Sequence, residues 1–508
     1  MVTAMQMKAL EQKAIEEYGI DSMLLMENAA RSFCDILERE TGSVKQRKIL
    51  VCCGPGNNGG DGFAIGRHLH NRGALVTIGM GCEASQLKGD ARKNYDIVTH
   101  MGLAVAIPQA IAGQEFDIGI DAIFGTGFHG EPQGVYAELI SCLQRQADYI
   151  AAVDMPSGTS ADSGQVAMCS VEAQLTVTFG LAKVGQFLYP AKEQVGKLYV
   201  TDISLPAELI NSYPAKFHTM DQELASFLPE REENTHKGSF GKVLILGGSL
   251  GMSGACAMAA EAVLRCGAGM VTAAVPSAIQ NVMATMLREM MTLPLPMGDE
   301  GLSKQATAMV TDKLQKQDVL LAGCGLGREM GTRDVFLSVV EACSKPMVID
   351  ADGINYLQGH IHIIQNKAQT PILTPHLMEF SGLSGYSLSE VLANRLSIAV
   401  NFATKHQIIL VLKSADTIVA HPNGHAYVCS RSNSGMATAG SGDVLSGIIA
   451  SLLAQGMTPG HAANLGVYIH SQAGWLAREN LGAHGMLASD MIAQLSATMM
   501  WLTESKGQ

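Results

Sequence analysis

Lys48-Ile49-Leu50-Val51-Cys52-Cys53-Gly54-Pro55-Gly56-Asn57-Asn58-Gly59-Gly60-Asp61-Gly62 passes from an apolar run into a glycine-rich one. Lys48 to Cys53 reads as a buried strand, Gly54 to Gly62 as a turn, and a helical pattern is expected from Phe63 onward. A strand that ends in so many glycines lets backbone N–H groups come close to a ligand. The helix start beyond it supplies partial positive charge, which suits a phosphate or pyrophosphate. The stretch matches neither G-x-G-x-x-G nor the P-loop, and it contains no lysine. What it adds to the amides is side-chain oxygen, from Asn57, Asn58 and Asp61.

The same strand-then-helix grammar extends outward on both sides. Apolar runs at 48–53, 75–80, 117–121, 149–154, 174–179 and 197–201 alternate mostly with helical patterns, as expected of a parallel sheet covered on both faces. A second alternating unit begins near His236, with strands expected at 242–247, 270–275, 319–323, 347–350, 372–374 and 408–413. A hairpin of 417–420 and 426–429 turns at Pro422-Asn423-Gly424, and helices follow at 442–454 and 461–478. Between the units lie Pro214, Pro229 and the charged run Glu230-Arg231-Glu232-Glu233. The expected division is 1–215 and 235–508, joined by a linker at 216–234. The fold class is α/β: two three-layer sandwich domains.

Composition sets the outer limits. A chain of 508 residues is expected to hold about two to four domains. With 47% hydrophobic residues there is ample material for full cores, and a net charge of −12 argues against nonspecific nucleic-acid binding. The eleven cysteines are scattered, without a C-x-x-C pair or metal-ligand spacing, so reduced thiols in a cytoplasm are expected. Residues 4–18 read as an amphipathic helix opened by Thr3 and Gln6 in capping-box spacing, not as an export signal. No membrane span is expected. The 28 methionines read as core filler.

Ligands of open parallel sheets bind beyond the carboxyl ends of strands. Three ends in the first unit carry polar residues: the 57–61 turn, Asp121 before Phe124-Gly125-Thr126-Gly127-Phe128-His129-Gly130, and Asp154 before Met155-Pro156-Ser157-Gly158. A single such acid reads as a cap or turn former; three in one sheet point to a shared cleft. Asp121, Asn58 and Ser157 offer hard oxygens, which suit an alkali or alkaline-earth cation rather than zinc. Asp154 or Asp61 could move a proton.

These motifs, with Leu24-Leu25-Met26-Glu27-Asn28-Ala29-Ala30 and Lys183-Val184-Gly185, resemble the N-terminal domain of the NAD(P)H-hydrate epimerases over roughly 1–215. The resemblance implies a Rossmann-like sandwich that interconverts the R and S forms of the hydrated nicotinamide ring. It implies a potassium ion held by Asn58, Asp121 and Ser157. It also implies a substrate site formed by Asn57, Asn58, Gly59, Gly60, Asp61, Gly125, Thr126, Gly127, Phe128, His129, Gly130, Glu131 and the catalytic Asp154.

In the second unit the strongest signal is Ala439-Gly440-Ser441-Gly442-Asp443 before Val444-Leu445-Ser446-Gly447-Ile448-Ile449. Small residues ahead of an apolar-periodic run mark a helix N-terminus whose free N–H groups can hold an anion. Asp443 in its first turn is either a dipole-friendly acid or a base on a substrate hydroxyl beside a phosphoryl group in flight. Lys413-Ser414-Ala415-Asp416-Thr417 leaves a strand with a lysine and hydroxyls for nucleotide phosphates, and Gly323-Cys324-Gly325 and Thr374-Pro375-His376 also end strands.

With His236-Lys237-Gly238-Ser239-Phe240-Gly241, these stretches resemble the ADP/ATP-dependent NAD(P)H-hydrate dehydratases, relatives of the ribokinase-like kinases, over about 230–505. The resemblance implies nucleotide binding by Lys413, Ser414, Ala415, Asp416, Thr417 and Gly442. It implies substrate binding by Ala255, Gly325, His376 and the catalytic Asp443. Cys324, Ser441 and Leu377-Met378 depart from the proline, threonine and Pro-Gly common there. Together the two resemblances imply repair of NADH-hydrate and NADPH-hydrate with ADP as co-substrate, accompanied by Mg2+, while the apolar N-terminal helices suggest a homo-oligomer. The residues leave two alternatives open. A ribokinase-like kinase for a small alcohol would give Asp121 and Asp154 no role, and a non-catalytic dinucleotide sensor would not need all three of Asp121, Asp154 and Asp443.

Overall fold

The strands β1 (Lys48–Cys53), β2 (Leu75–Met80), β3 (Ala104–Ala106), β4 (Phe116–Ala122), β5 (Ala147–Val153), β6 (Leu175–Phe179) and β7 (Lys197–Thr201) form one parallel sheet in the order β3-β2-β1-β4-β5-β6-β7. Central Val51 faces Ile78 on one side and Ile120 on the other, and all three are fully buried. Strands buried on both faces read as continuous apolar runs, which is why most of them were legible. The exception is β3, whose Ala104 and Val105 are exposed at the sheet edge and gave no apolar run. The computed structural model describes residues 1–506 and divides between Phe217 and His218.

The helix after β1 spans Asn57–Asn71, so it begins six residues earlier than expected and absorbs the glycine-rich stretch. Each glycine inside a helix costs about 1 kcal/mol relative to alanine, which is why the pattern reads as a turn. Close packing explains their presence. A Cβ on Gly59 would stand 1.9 Å from the Gly54 carbonyl oxygen, and one on Gly62 would stand 2.6 Å from the Ala122 Cβ. The glycines let the helix press onto β1 and β4. At the N-terminus the helix Ala4–Glu16 carries the expected box: Thr3 Oγ1 accepts from Gln6 N–H at 3.2 Å, and Gln6 Oε1 accepts from Thr3 N–H at 2.8 Å.

The remaining strands are β8 (Phe217–Thr219), whose first residue is the last of the first unit, and β9 (Lys242–Leu246), β10 (Met270–Pro276), β11 (Met291–Leu295), β12 (Met297–Gly298), β13 (Gly301–Leu302), β14 (Val319–Ala322), β15 (Met347–Ile349), β16 (Ile372–Leu373), β17 (Ile409–Leu412), β18 (Thr417–Ala420) and β19 (Ala426–Cys429). Apart from the small β12–β13 ribbon, they form a ten-stranded sheet in the order β11-β10-β9-β14-β15-β16-β17-β18-β19-β8. β11 to β17 run parallel, and β17-β18-β19 are antiparallel around the expected hairpin. Helices Ser253–Arg265, Ser441–Ala454 and Pro459–Gly485 supply much of the core packed on this sheet.

Much of the 216–234 stretch is built into the second unit. Met220 N–H donates to the Val428 carbonyl at 3.2 Å, and Leu224, Ala225 and Leu228 are buried in the core. Proline and charge mark the ends of that stretch, while its apolar residues carry the signal for burial. No helix among the described residues is long and apolar enough to cross a membrane.

Candidate active sites

In each sheet the strand order reverses at one place, between β1 and β4 and between β9 and β14. Crevices at such switch points are where open α/β sheets take ligands.

At the first, Gly56 caps the helix Asn57–Asn71 with no side chain bonded to its opening amides, which leaves them free for an anion. Asn58 brings the expected loops together: a Cβ on Gly125 would come 3.2 Å from Asn58 Oδ1, and Asn58 Nδ2 is buried without a hydrogen-bond partner. Phe128 N–H closes the loop onto the Gly125 carbonyl at 3.2 Å, while His129, Gly130 and Glu131 lie exposed on its rim. Glu131 Oε2 accepts from Met168 N–H at 2.9 Å.

Asp121, on β4, and Ser157 are both fully buried and bonded directly. Ser157 N–H donates to Asp121 Oδ2 and its hydroxyl to Oδ1, each at 2.6 Å. Ser157 Oγ also accepts from Phe124 N–H at 2.9 Å. Burial pushes the Asp121 carboxyl up to about 6, although the bonds from Ser157 and Ile123 pull it down. Among the described residues no basic side chain pairs with it. A buried carboxylate beside a hydroxyl, with no counter-charge, fits a hard cation taken by oxygen ligands; the unsatisfied Asn58 Nδ2 is a donor and leaves that residue's Oδ1 as its ligand atom.

Asp154 follows β5 in the left-handed region, with φ +66°. Its Oδ1 accepts from Lys183 Nζ at 2.5 Å, Thr178 Oγ1 at 2.8 Å and Phe179 N–H at 3.3 Å, so Oδ2 is the oxygen available to a substrate. Lys183 is fully buried and spends its other N–H groups on Thr178 Oγ1 at 2.9 Å and the Phe179 carbonyl at 3.0 Å. Asp61 is driven well above the carboxylate range by burial and by the charges of Asp154 and Glu11, with Lys183 opposing. Asp61 is thus biased toward its protonated form within electrostatic reach of Asp154, which is ion-paired to Lys183. Sequence reasoning quoted Lys183 as part of a motif without a role. Its position after Gly180 beyond β6 was the available signal.

At the second switch point, the loops after β9 and β14 meet. A Cβ on Gly325, whose φ is +66°, would lie 2.7 Å from the Met252 carbonyl and 3.0 Å from the Ala255 Cβ, so two expected substrate-binding residues are neighbours. The helix Ser441–Ala454 starts behind Gly440, at φ +91°, again without a side-chain cap. A Cβ on Gly442 would stand 3.1 Å from Lys413 Nζ and 3.7 Å from Asp350 Oδ2, so glycine keeps room between the helix start and this ion pair. Lys413 Nζ donates to Asp350 Oδ1 at 2.7 Å. Burial pulls Lys413 down, but Asp350, Glu379 and Asp443 outweigh it and leave it above the usual lysine value. Asp443 is pushed up to about 6 by burial and Asp350, against Cys324 and Lys413.

His376 caps the helix Leu377–Ser384. Its Nδ1 accepts from Met378 N–H at 3.1 Å and Glu379 N–H at 3.2 Å, which assigns the ring proton to Nε2. Burial pushes Glu379 up to about 7. The Leu377-Met378 departure leaves the capping box intact, because the box uses only backbone N–H groups at those positions.

The 413–417 loop divides. Lys413 faces the helix start and Ala415 is exposed, but Asp416 is fully buried. Both of its oxygens accept from Arg395, Oδ1 at 2.5 Å and Oδ2 at 2.7 Å, and Ser414 Oγ donates to Oδ1 at 2.6 Å. Asp416 therefore braces the loop and turns no carboxylate toward a nucleotide; Thr417 Oγ1 donates to the Ser414 carbonyl at 3.1 Å. Sequence reasoning missed Arg395 and His470, which lie on distant helices. His470 Nε2 is 3.3 Å from Ser441 Oγ, and burial pushes it down to about 4. Asp350 was legible as a strand end, and the pair Asp350-Ala351-Asp352 was the signal for a site.

A family model described as NAD(P)H-hydrate dehydratase matches residues 243–497, and one described as YjeF-related protein N-terminus matches residues 22–185. The bifunctional NAD(P)H-hydrate repair enzyme Nnr of Moorella thermoacetica is 40% identical over 99% of this chain and 97% of its own length. Its namesake in Thermofilum pendens is 34% identical over 98% and 96%. Among solved structures, a ribokinase-like superfamily protein from Enterococcus faecalis matches with a TM-score of 0.50 at 25% identity, covering 57% of this chain and 98% of that one. Matched along almost its entire length by such relatives, and with one family model in each unit, the chain belongs to the bifunctional NAD(P)H-hydrate repair enzymes.

Proposed function

We propose that the first unit interconverts R- and S-NAD(P)H-hydrate and that the second dehydrates the S form to NAD(P)H at the expense of ADP. The observation that carries this is the start of the helix Ser441–Ala454: open amides, Gly442 against Lys413, and Asp443 in the first turn. Asp443 takes the proton of the substrate hydroxyl as that oxygen attacks the terminal phosphorus of ADP. The bond to AMP breaks, and the amides and Lys413 hold the developing charge. The phosphate ester then leaves with the C–O electron pair, the ring gives up a proton, and the reduced dinucleotide and phosphate result. Mg2+ enters as the nucleotide's own complex. Lys413, the 414–417 loop and Gly442 take the nucleotide, while Ala255, Gly325 and His376 orient the hydrate.

In the first unit Asp154 serves as base and Asp61 as acid at the hydrated ring, with the dinucleotide along 57–61 and 125–131. Asn58, Asp121 and Ser157 hold potassium, whose charge would offset buried Asp121 and brace the two loops. Eleven free cysteines support a reducing cytoplasm, and exposed Met5 and Leu24 on the first helices support a homo-oligomer. The test is to express 1–215 and 216–508 separately and supply ADP with mixed hydrate epimers, following the absorbance of reduced nicotinamide. The second fragment should consume the S form alone, and adding the first should bring the reaction to completion. Full-length protein that forms no reduced nicotinamide with ADP would sink the assignment.

A further inference from the structure

We infer that Val2 is a positioning residue of the epimerisation site, holding Lys183 and, through Lys183, the carboxylate of Asp154. This rests on the role proposed for Asp154. Val2 is 1% exposed and meets Lys183 in an isolated parallel bridge. Val2 N–H donates to the Ala182 carbonyl at 2.9 Å, and Val184 N–H donates to the Val2 carbonyl at 3.0 Å. The backbone on either side of Lys183 is therefore fixed by one residue from the start of the chain. The side chain so fixed is the one that donates to Asp154 Oδ1 at 2.5 Å.

The residues after Val2 extend the brace to a second strand-end loop. Ala4 N–H, in the first turn of the helix Ala4–Glu16, donates to Asp162 Oδ1 at 2.7 Å. Asp162 lies on the loop between β5 and β6 that also carries Asp154 and Ser157. Met7 packs under the turn that leads to Lys183: a Cβ on Gly180 would stand 2.6 Å from Met7 Cε. Residues 2–7 thus grip the loop of Asp154 and the loop of Lys183 together. The same helix carries Glu11, whose carboxyl is pushed up by burial and by the charge of Asp154, with Lys183 opposing. From within, Gln186 ties the two loops by their backbones: its Oε1 accepts from Lys183 N–H, and its Nε2 donates to the Asp154 carbonyl, each at 2.8 Å. The Lys183 ammonium is fully buried and gives its N–H groups to Asp154, Thr178 and Phe179, so a shift of its backbone passes to the carboxylate. A misplacement of about 1 Å can cost about a hundredfold in rate.

The experiment uses full-length protein without ADP, so that only epimerisation proceeds, and follows purified R-hydrate by chromatography. Val2→Pro removes the N–H that holds Ala182. It should lower kcat for epimerisation by about ten- to hundredfold, with KM within about twofold of wild type. Val2→Ile keeps both bonds and a buried apolar side chain, so its rate should match wild type. With ADP, dehydration of S-hydrate by the same preparations should be unchanged. The double variant Val2→Pro/Lys183→Met should be no slower than Lys183→Met alone, because Val2 acts through that lysine. All rates are taken well below the melting transition of each variant. If Val2→Pro melts too early for that, Asp162→Ala, at an exposed side chain, takes its place. Loss of the Ala4 bond should lower kcat by about two- to tenfold, the worth of one hydrogen bond, and again should add nothing to Lys183→Met. Wild-type kcat in the variant used, or losses that multiply in the double variant, overturns the inference, because a brace that only stabilises the fold would produce either. Wild-type protein that leaves R-hydrate unchanged would instead overturn the epimerisation reading of the first unit, and the inference with it.

Discussion

Both units set an aspartate just beyond a strand and tie it to a lysine from further along the chain: Asp154 to Lys183 at 2.5 Å and Asp350 to Lys413 at 2.7 Å. In both, the backbone at that place enters the left-handed region, at Asp154 itself (φ +66°) and at Ala351 beside Asp350 (φ +48°). The lysines differ in what remains to them. Lys183 is fully buried and gives its three N–H groups to Asp154, Thr178 and Phe179. Lys413 is 20% exposed, and among the described residues its ammonium donates to Asp350 alone. The first lysine can only hold its carboxylate in place, which suits proton transfer. The second retains donors for a phosphate oxygen, which suits phosphoryl transfer.

The largest expected effect tests the phosphoryl side. Asp443→Asn should slow dehydration by about 10²–10⁴, since an amide cannot take the hydroxyl proton. Epimerisation should be unaffected. Dehydration of the S form near the wild-type rate would remove Asp443 from the mechanism. The same carboxyl predicts the pH dependence: a base pushed up to about 6 is ionised above that pH, so kcat/KM should fall as pH drops through about 6.

Exchanging the lysines tests the comparison directly. Lys183→Met removes a fully buried lysine from its pair with the part-exposed Asp154 and should destabilise the first unit by up to about 3–5 kcal/mol, seen as an early melting transition, with KM for ADP unmoved. Lys413→Gln should raise KM for ADP by about ten- to hundredfold, the worth of a charge-assisted bond or two. If Lys183→Met shifted KM for ADP, or Lys413→Gln left it alone, the division of labour between the lysines would be wrong.

The smallest effect concerns the cation. Epimerisation should run faster in potassium than in lithium buffer, and Asp121→Ala should abolish the difference. Because Asp121 is pushed up to about 6 when folded, against about 3.9 unfolded, its contribution to stability is present below about pH 4. That contribution, on the order of 2–3 kcal/mol, is lost as pH rises through about 6. Without potassium the melting temperature of the 1–215 fragment should therefore fall between pH 5 and pH 7, and potassium should restore it at pH 7. Equal rates and melting curves in the two salts would mean that no cation is needed there.

The amino-acid sequence by itself determined the two α/β units and most of their buried strands, because a strand covered on both faces is a continuous apolar run. It also pointed to both candidate sites, since parallel sheets present ligands beyond strand ends, where Asn58, Asp121, Asp154 and His376 stand, and helix starts such as that of Asp443 offer open amides. Three things only the tertiary structure decided. The glycines at 59, 60 and 62 lie inside a helix, because the strands and helices beneath it leave no room for a Cβ. The stretch around Leu224 joins a core whose other residues are distant in sequence. Asp416 turns inward to Arg395, and Lys183 spends every N–H while Lys413 does not. Periodicity reports which face of an element is buried, but the partner that meets a charged side chain there depends on long-range packing.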